Sequence, residues 1–299
     1  MLSLGLLLLA ILCGLGLWAA WIEPRQVHTR RFRVAVANLE TPLRAVVIGD
    51  LQPNVYHWPP ERLGALFKRL QSDEKPDLVL WLGDYYNAPT DVSKPYLEAR
   101  PSLHSWVAQR LPVMEEIAYE MSHLRGRLGN FSVLGNHDWA WSGSETARHL
   151  TENGITVLQD DVITLTDPDS GQHLQIIGYE DLTSGRHPDY DRVHAQCNPD
   201  LPQISLAHSP DTFPRAKGGP GLMFSGHTHG GQVCLPFLGP LVLPLHNRLY
   251  DYGWFVEGTR RLYVTSGMGT SLPPLRFMMP PEVVVLDLMP VENLEMKED

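Results

Sequence analysis

Cysteine is scarce in this chain, and the cysteines that occur are widely separated. Only Cys13, Cys197 and Cys234 are present among 299 residues, and no two of them are closely spaced. This distribution excludes a disulfide framework and a thiolate zinc knuckle as the basis of the fold. We expect all three side chains to be unreactive thiols.

Charged side chains are also few, and acidic groups outnumber basic ones. Charged residues make up 19% of the sequence, hydrophobic residues make up 43%, and the formal net charge is -10. A chain without a basic surface lacks the footprint for a phosphate backbone, so nucleic acid is not an expected partner. A small phosphate-containing substrate remains compatible with this charge, because bound cations reverse the sign locally.

The N-terminal 22 residues contain no charged side chain. As a helix they would extend about 33 Å, enough to cross a bilayer core of about 30 Å. No Lys or Arg precedes this run and no small-x-small cleavage site follows it, so we favour a retained membrane anchor over a cleaved signal peptide. Arginines follow at positions 25, 30, 31 and 33. By the positive-inside rule they predict a single-pass protein of the cell (inner) membrane with its main domain in the cytoplasm; the opposite side is the alternative.

After the anchor, short apolar runs alternate with helical patterns. Apolar runs without strict alternation indicate strands covered on both faces. They lie at 45–48, 78–82, 131–134, 174–177, 204–207, 222–224, 262–265 and 283–288, and helical patterns lie at 60–70, 105–124 and 144–153. This order predicts a layered α/β (α+β) domain, a two-sheet β sandwich flanked by helices. We expect an anchor at 1–22, a linker and first strand at 23–43, the domain at 44–290 and an acidic tail at 291–299.

Polar clusters follow five of the predicted strands, where ligands gather in open sheets. They are 49–52, 83–87, 135–138, the single residue His208, and 226–231. Each contains Asp, Asn or His, which are metal ligands, and the glycines in four of them let the backbone turn sharply beside a cation. Taken singly, each has an ordinary explanation as a turn, a cap or a hydrogen-bonded core histidine. Five together, each at a strand end, predict one metal site.

The series Asp-x-Gln, Gly-Asp-x-x-Asn, Gly-Asn-His-Asp, His and Gly-His-x-His resembles the calcineurin-like metallophosphoesterase superfamily. The stretches at 226–240 and 262–282 make the chain similar, within that superfamily, to a membrane-associated bacterial phosphodiesterase branch. The resemblance covers about 44–288. It implies a four-layer fold with a two-sheet sandwich, and a hydrolase acting on phosphoric ester or phosphoanhydride bonds.

The resemblance also implies a centre of two divalent metal ions. Carried onto matching positions, Asp50, Asp84 and His229 hold the first metal, with Gln52 as its remaining ligand. Asp84 also bridges to the second metal, which Asn136, His208 and His227 complete. His137 is expected to stabilise the transition state or protonate the leaving oxygen, oriented by Asp138.

Gln52 departs from the histidine that such a loop usually carries. An amide oxygen is neutral and hard, whereas an imidazole nitrogen is borderline, so a coordinating Gln52 shifts the first site towards Mn²⁺ or Mg²⁺. We therefore expect Mn²⁺ as the cofactor, with Mg²⁺, Zn²⁺ or iron as alternatives.

The predicted function is hydrolysis of a phosphodiester or pyrophosphate in a lipid-linked or envelope-related substrate. The alternatives are a catalytically weak metal-dependent scaffold or binding module on the same fold, and a phosphomonoesterase. Tyr85, Tyr86 and Asn87 either contact substrate or pack the loop. The segment 272–281 either forms a lipid-accepting wall or covers a sheet edge.

Overall fold

The computed structural model describes residues 2–88, 111–244 and 249–291. It begins with α1 (Leu2–Leu17), which passes through a π-helical turn (Trp18–Ile22) and a 3₁₀ turn (Glu23–Arg25) into the domain. The continuous helical span Leu4–Arg25 has 22 residues and is long and apolar enough to cross a membrane, and its apolar window is 0% buried. The predicted apolar helix is therefore present, and its apolar window is exposed rather than packed in the domain.

The described part of the domain contains strands and helices in alternation. In chain order they are β1 (His28–Val36), β2 (Leu43–Ile48), α2 (Pro60–Glu74), β3 (Leu78–Trp81), α3 (Met114–Met121), β4 (Gly129–Ser132), α4 (Asn136–Trp141), α5 (Gly143–Glu152), β5 (Thr156–Val157), β6 (Asp161–Thr166), β7 (His173–Gly178), α6 (Tyr190–His194), β8 (Gln203–Leu206), β9 (Leu222–Ser225), β10 (Cys234–Leu235), β11 (Gly239–Pro240), β12 (Gly253–Glu257), β13 (Arg260–Val264) and β14 (Glu282–Pro290).

The strands form two six-stranded mixed sheets and one small hairpin. The first sheet has the order β1-β14-β2-β3-β4-β5, in which β2 to β5 are parallel and β14 runs antiparallel to β2. The second has the order β12-β13-β9-β8-β7-β6, with β13, β9, β8 and β7 parallel to one another. β10 and β11 pair separately.

Three apolar clusters stack these elements into layers. The middle cluster lies between the sheets and includes Val47 of β2 and Phe224 of β9. Because successive side chains of a strand point to opposite faces, Val46 instead joins the cluster under α2 and α3. A third cluster packs β7 and β13 against α6 through Val193. The two-sheet sandwich flanked by helices, predicted from the apolar runs, is confirmed.

Several element boundaries differ from the predicted ones. The fourth strand ends at Ser132 rather than at 134, although the Val133 amide still bonds the Trp81 carbonyl at 3.1 Å before the chain turns into α4. The described part of the helical pattern at 105–124 contains α3. The first strand expected within 23–43 is β1 (His28–Val36), which pairs in parallel with β14 in the first sheet. Residues 105–110 and 292–299 lie outside the described residues.

Candidate metal centre

The candidate ligands follow the carboxyl ends of parallel strands in both sheets. Asp50 follows β2, Asp84 follows β3, Asn136 follows β4, His208 follows β8, and His227 and His229 follow β9. Parallel strands end at the same edge of a sheet, so these loops meet at one edge of the sandwich. The hydrogen bonds of the loops show that the two sheets contribute to a single cluster, since the His227 amide donates to Asp50 Oδ1 at 2.9 Å.

Four side chains lie close around one point between the sheets. Asp84, His208 and His227 each offer one ligand atom, and these atoms lie within 4.8 Å of one another. His208 Nε2 lies 3.4 Å from Asp84 Oδ2, 3.2 Å from His227 Nδ1 and 3.1 Å from Asn136 Oδ1. The structure therefore brings together all four residues expected at the second metal.

Backbone carbonyls orient the two imidazoles of this group. His208 Nδ1 bonds the Leu82 carbonyl at 2.8 Å, and His227 Nε2 bonds the Pro244 carbonyl at 2.9 Å. We assign the ring proton to these nitrogens, because a carbonyl can only accept. With each ring neutral, His208 Nε2 and His227 Nδ1 carry lone pairs directed into the cluster; His208 would give up its second proton on binding a metal, since ligation requires the neutral imidazole.

The residues expected at the first metal adjoin the same cluster. Gln52 Nε2 donates to Asp84 Oδ2 at 3.1 Å, and His229 Nε2 lies 3.9 Å from Asp50 Oδ1. Gln52 is fully buried, and its Oε1 has no hydrogen-bond partner among the described residues. Buried amide oxygens are normally satisfied, so this oxygen fits a cation that it would coordinate.

The loops hold these side chains in backbone conformations that L-residues rarely adopt. Among the predicted ligands, φ is positive at Asp50 (51°), Gln52 (30°), Asp84 (57°), His227 (71°) and His229 (51°). Each such residue costs on the order of 1–3 kcal/mol and persists only where the surroundings fix it. Gly226 permits a close approach, because a Cβ there would overlap the Asp50 carboxylate. The fold therefore maintains backbone strain at five of the seven predicted ligands; Asn136 and His208 are not among the residues with positive φ.

Burial and mutual repulsion perturb the acidic groups of the cluster. Burial raises the pKa of Asp50 to about 7, and the neighbouring Asp84 carboxylate adds to this. Burial would also raise the pKa of Asp84, but His208 and His137 outweigh it and lower this pKa. The pKa of His208 is raised correspondingly, because the Asp84 carboxylate outweighs the effect of burial. Neighbouring buried carboxylates that repel one another favour a cation beside them.

The other two histidines are held neutral. Burial and the charge of His208 lower the pKa of His227 to about 4. Burial, followed by the Arg276 guanidinium, lowers the pKa of His229 well below its ordinary value. Neutral imidazole is the form that binds a metal, so both side chains are prepared for coordination near neutral pH.

Arg276 is a residue of this site that the sequence reasoning did not single out as functional. Its side chain is fully buried, and it donates to the carbonyls of Ser266 at 2.7 Å, Gly269 at 2.7 Å and Met279 at 2.9 Å. It thereby fixes the loop beside Asp50 and lies 3.4 Å from His229 Nδ1. In the sequence it stands in a Pro-rich stretch that contributes to the family resemblance, but its role was not indicated, because its partners are backbone carbonyls and these have no sequence motif.

The structure corrects the expected relation between His137 and Asp138. Both oxygens of Asp138 accept backbone amides, from Asp84 at 2.8 Å, Tyr85 at 2.9 Å and Gly135 at 2.8 Å. The His137 ring instead bonds the Ala88 carbonyl through Nδ1, with Nε2 3.9 Å from Asp84 Oδ2. Asp138 therefore shapes the Asp84 loop and does not orient the His137 ring, since its oxygens are occupied by the backbone.

Tyr85 packs the loop rather than facing a substrate. It is fully buried, and its hydroxyl bonds the Val133 carbonyl at 2.8 Å. Asn87 Nδ2 reaches the Thr270 carbonyl at 3.4 Å. Tyr86 is half-buried, and its ring lies 4.9 Å from that of Trp141. Loop packing therefore accounts for the contacts of all three.

Comparison with known proteins gives a consistent result. The sequence model of the calcineurin-like phosphoesterase family matches residues 43–231. The chain is 32% identical over 219 residues to the metallophosphoesterase YkuE of Bacillus subtilis, covering 73% of this chain and 69% of that protein. It is 30% identical to the phosphodiesterase YaeI of Escherichia coli, covering 73% and 72% of the two chains. It is 26% identical to the UDP-2,3-diacylglucosamine pyrophosphatase LpxG of Chlamydia muridarum, covering 90% and 92%. The chain therefore belongs to the calcineurin-like phosphoesterase family and is a hydrolase acting on phosphate esters.

Proposed function

We propose that this chain hydrolyses a phosphodiester or pyrophosphate bond at a centre of two divalent cations. Asp50, Gln52 and His229 would hold one cation, Asn136, His208 and His227 the other, and Asp84 would bridge them. The observation that carries the proposal is the position of Asp84 Oδ2, 3.4 Å from His208 Nε2 and 3.1 Å from Gln52 Nε2. One carboxylate oxygen thus lies between both ligand groups.

The donor set supports oxygen-preferring cations at the first position. Asp50, Gln52 and Asp84 offer oxygens there and only His229 offers nitrogen, which suits Mn²⁺ or Mg²⁺ better than Zn²⁺. The unpartnered Gln52 Oε1 supports the same assignment. When bound, two such cations supply Lewis acidity towards the phosphoryl oxygens.

His137 is the side chain we assign to proton transfer. Its Nδ1 is bonded to the Ala88 carbonyl, so Nε2 is the nitrogen directed towards the cluster. The His137 amide also donates to Asp84 Oδ1 at 2.9 Å, which fixes the ring next to the bridging carboxylate. From this position Nε2 can hold a proton and transfer it to the leaving oxygen, an effect typically worth about 10²–10⁴-fold in rate.

The N-terminal helix supports a substrate at the membrane. The span Leu4–Arg25 is long and apolar enough to cross a bilayer, and the arginines that follow favour a cytoplasmic domain by the positive-inside rule. LpxG is named for hydrolysis of an acylated sugar nucleotide. By analogy, we infer that this chain acts on a lipid-linked phosphodiester or pyrophosphate.

The experiment that tests the reaction compares bis-p-nitrophenyl phosphate with p-nitrophenyl phosphate in Mn²⁺, Mg²⁺ and Zn²⁺. We expect Mn²⁺-dependent hydrolysis that is faster for the diester. His137→Gln should lower kcat by about 10²–10⁴-fold while thermal stabilisation by Mn²⁺ is retained, since His137 is not a ligand in this proposal. Equal rates for the wild type and His137→Gln would refute the assigned proton transfer. Faster hydrolysis of the monoester would instead favour a phosphomonoesterase.

A further inference from the structure

A short hairpin beside the metal centre carries large apolar side chains on its surface. β10 and β11 enclose Phe237 and Leu238, which are 108% and 76% exposed. Leu241 and Val242 follow directly and are 53% and 71% exposed. A contiguous exposed apolar patch of this kind marks an interaction surface.

The hairpin is joined to the segment that precedes β14. Val233 forms a parallel bridge with Phe277, and Gln232 Nε2 donates to the Pro273 carbonyl at 2.7 Å. This segment adds two further exposed side chains, Leu272 at 40% and Met278 at 54%. We call the set of Phe237, Leu238, Leu241, Val242, Leu272 and Met278 the apolar hairpin surface.

The end of the N-terminal span is fixed to the same segment. The Arg276 amide donates to the Ala19 carbonyl at 2.9 Å, and the Met279 amide donates to Glu23 Oε1 at 2.7 Å. Glu23 is buried, and its other oxygen accepts from Trp18 Nε1 at 2.6 Å. Met278 is two residues from Arg276, so its Cα lies within about 7 Å of that of Arg276. The span therefore ends next to the apolar hairpin surface.

We propose that the apolar hairpin surface enters the lipid bilayer beside the N-terminal span. The proposal rests on the membrane attachment in the proposed function. Trp18 and Trp21 are 40% and 49% exposed and mark the interfacial level on the span. Side chains fixed next to this level would enter the headgroup and acyl boundary to a depth of about 5–10 Å. The bilayer, rather than a second copy of the chain, is the occupant, because the span and the surface are attached to one segment.

This arrangement places the metal centre at the level of the lipid headgroups. The chain that leaves the hairpin returns to the centre, where the Pro244 carbonyl accepts from His227 Nε2 at 2.9 Å. A Cβ on Gly231 would collide with Pro240, so the hairpin packs directly on the histidine loop. A phosphate ester carried on a lipid therefore reaches the centre with its apolar chains still in the bilayer.

Site-specific labelling of the full-length chain tests the proposal. Three single-cysteine variants are prepared. The first keeps the native Cys13 in α1 and has the other two native cysteines changed to alanine. The second and third carry Leu238→Cys or Val256→Cys and have all three native cysteines changed to alanine. Val256 is the matched control, because it is an exposed apolar residue (60%) on β12, beside the turn to β13. That turn precedes β13, which runs parallel to β9, so it lies at the sheet edge opposite the metal centre.

Each variant is labelled with an environment-sensitive fluorophore and reconstituted in vesicles of phosphatidylcholine and phosphatidylglycerol. Quenching by a doxyl-labelled lipid and by aqueous iodide is then measured. We expect the labels at 13 and 238 to be quenched by the lipid and shielded from iodide, and the label at 256 to show the reverse. Thermal unfolding of each labelled variant confirms that the domain is folded.

The outcomes separate this proposal from the membrane attachment on which it rests. Lipid quenching at 13 together with iodide quenching at 238 would overturn the hairpin proposal and leave the anchor standing. Iodide quenching at both positions would overturn the anchor itself. A label at 238 that neither quencher reaches would indicate a protein partner or a second copy, and this would also refute insertion into the bilayer.

Discussion

Gln52 offers the sharpest test of the metal centre, because its amide nitrogen is hydrogen-bonded whereas its amide oxygen has no partner among the described residues. Replacing Gln52 with leucine removes the bond from Nε2 to Asp84 Oδ2, which at a charged acceptor is worth about 1.5–3 kcal/mol. It also removes Oε1, a buried oxygen without a partner among the described residues, whose burial costs about 1–3 kcal/mol. The two effects nearly cancel, so we expect little change in the free energy of unfolding when metal is chelated.

With metal bound, we expect Gln52→Leu to lower the free energy of unfolding. Loss of a ligand should weaken binding at least as much as loss of a residue that orients one, about 10–100-fold. At saturating metal this lowers the stabilisation by about 1.4–2.7 kcal/mol. For a domain of this size, the rise in Tm on adding Mn²⁺ should therefore be smaller by about 3–11 °C.

The assay is thermal unfolding of the full-length chain in detergent, with EDTA or with Mn²⁺, supported by calorimetric titration of Mn²⁺. Gln175→Leu is the matched control, since Gln175 is also buried but has all its amide atoms bonded, including Oε1 to the Asn198 amide at 2.7 Å. It should destabilise the protein equally with and without metal. Gln52→His should preserve the Mn²⁺-induced rise and increase the response to Zn²⁺. A Gln52→Leu variant with an undiminished Mn²⁺ response would refute coordination by Gln52.

Two further predictions concern a glycine at the centre and an ion pair far from it. Gly226→Ala should weaken Mn²⁺ binding at least about tenfold, because the added Cβ displaces the Asp50 carboxylate. Gly221→Ala is the control: it lies at the other end of β9, where the nearest atom to an added Cβ is 3.7 Å away, and it should leave Mn²⁺ binding unchanged. Equal Mn²⁺ affinities of the two variants in calorimetric titration would contradict this prediction. Arg127 bonds Asp167 at 2.6 Å and lowers the pKa of that carboxyl to about 2. Arg127→Leu should therefore lower the free energy of unfolding, measured in urea at pH 7, by about 1 kcal/mol, which is the typical contribution of a surface ion pair. The pair stabilises the folded state above the unfolded pKa of about 4 and loses this effect as the pH falls towards 2, so an undiminished difference at pH 3 would contradict the assignment.

The sequence by itself determined the strand-terminal positions of the ligands. Asp50, Asp84, Asn136, His208 and His227 each follow an apolar run, and the ends of parallel strands meet wherever such strands form one sheet. The apolar N-terminal helix is determined equally directly, because a run without charges is a local property of the chain. These features depend on residues that are near one another in sequence.

Only the tertiary structure decided the features that depend on distant partners. Asp138 was predicted to orient His137, but its oxygens are taken by amides from a loop 52–54 residues earlier. Arg276 was not singled out, because its partners are backbone carbonyls and these leave no trace in the sequence. The hydrogen bond from the Met279 amide to Glu23, which is 256 residues away, could not be predicted from the sequence either. The sequence specifies which side chain stands at each position. The hydrogen-bond partner of that side chain depends on which backbone groups the packed sheets bring close to it.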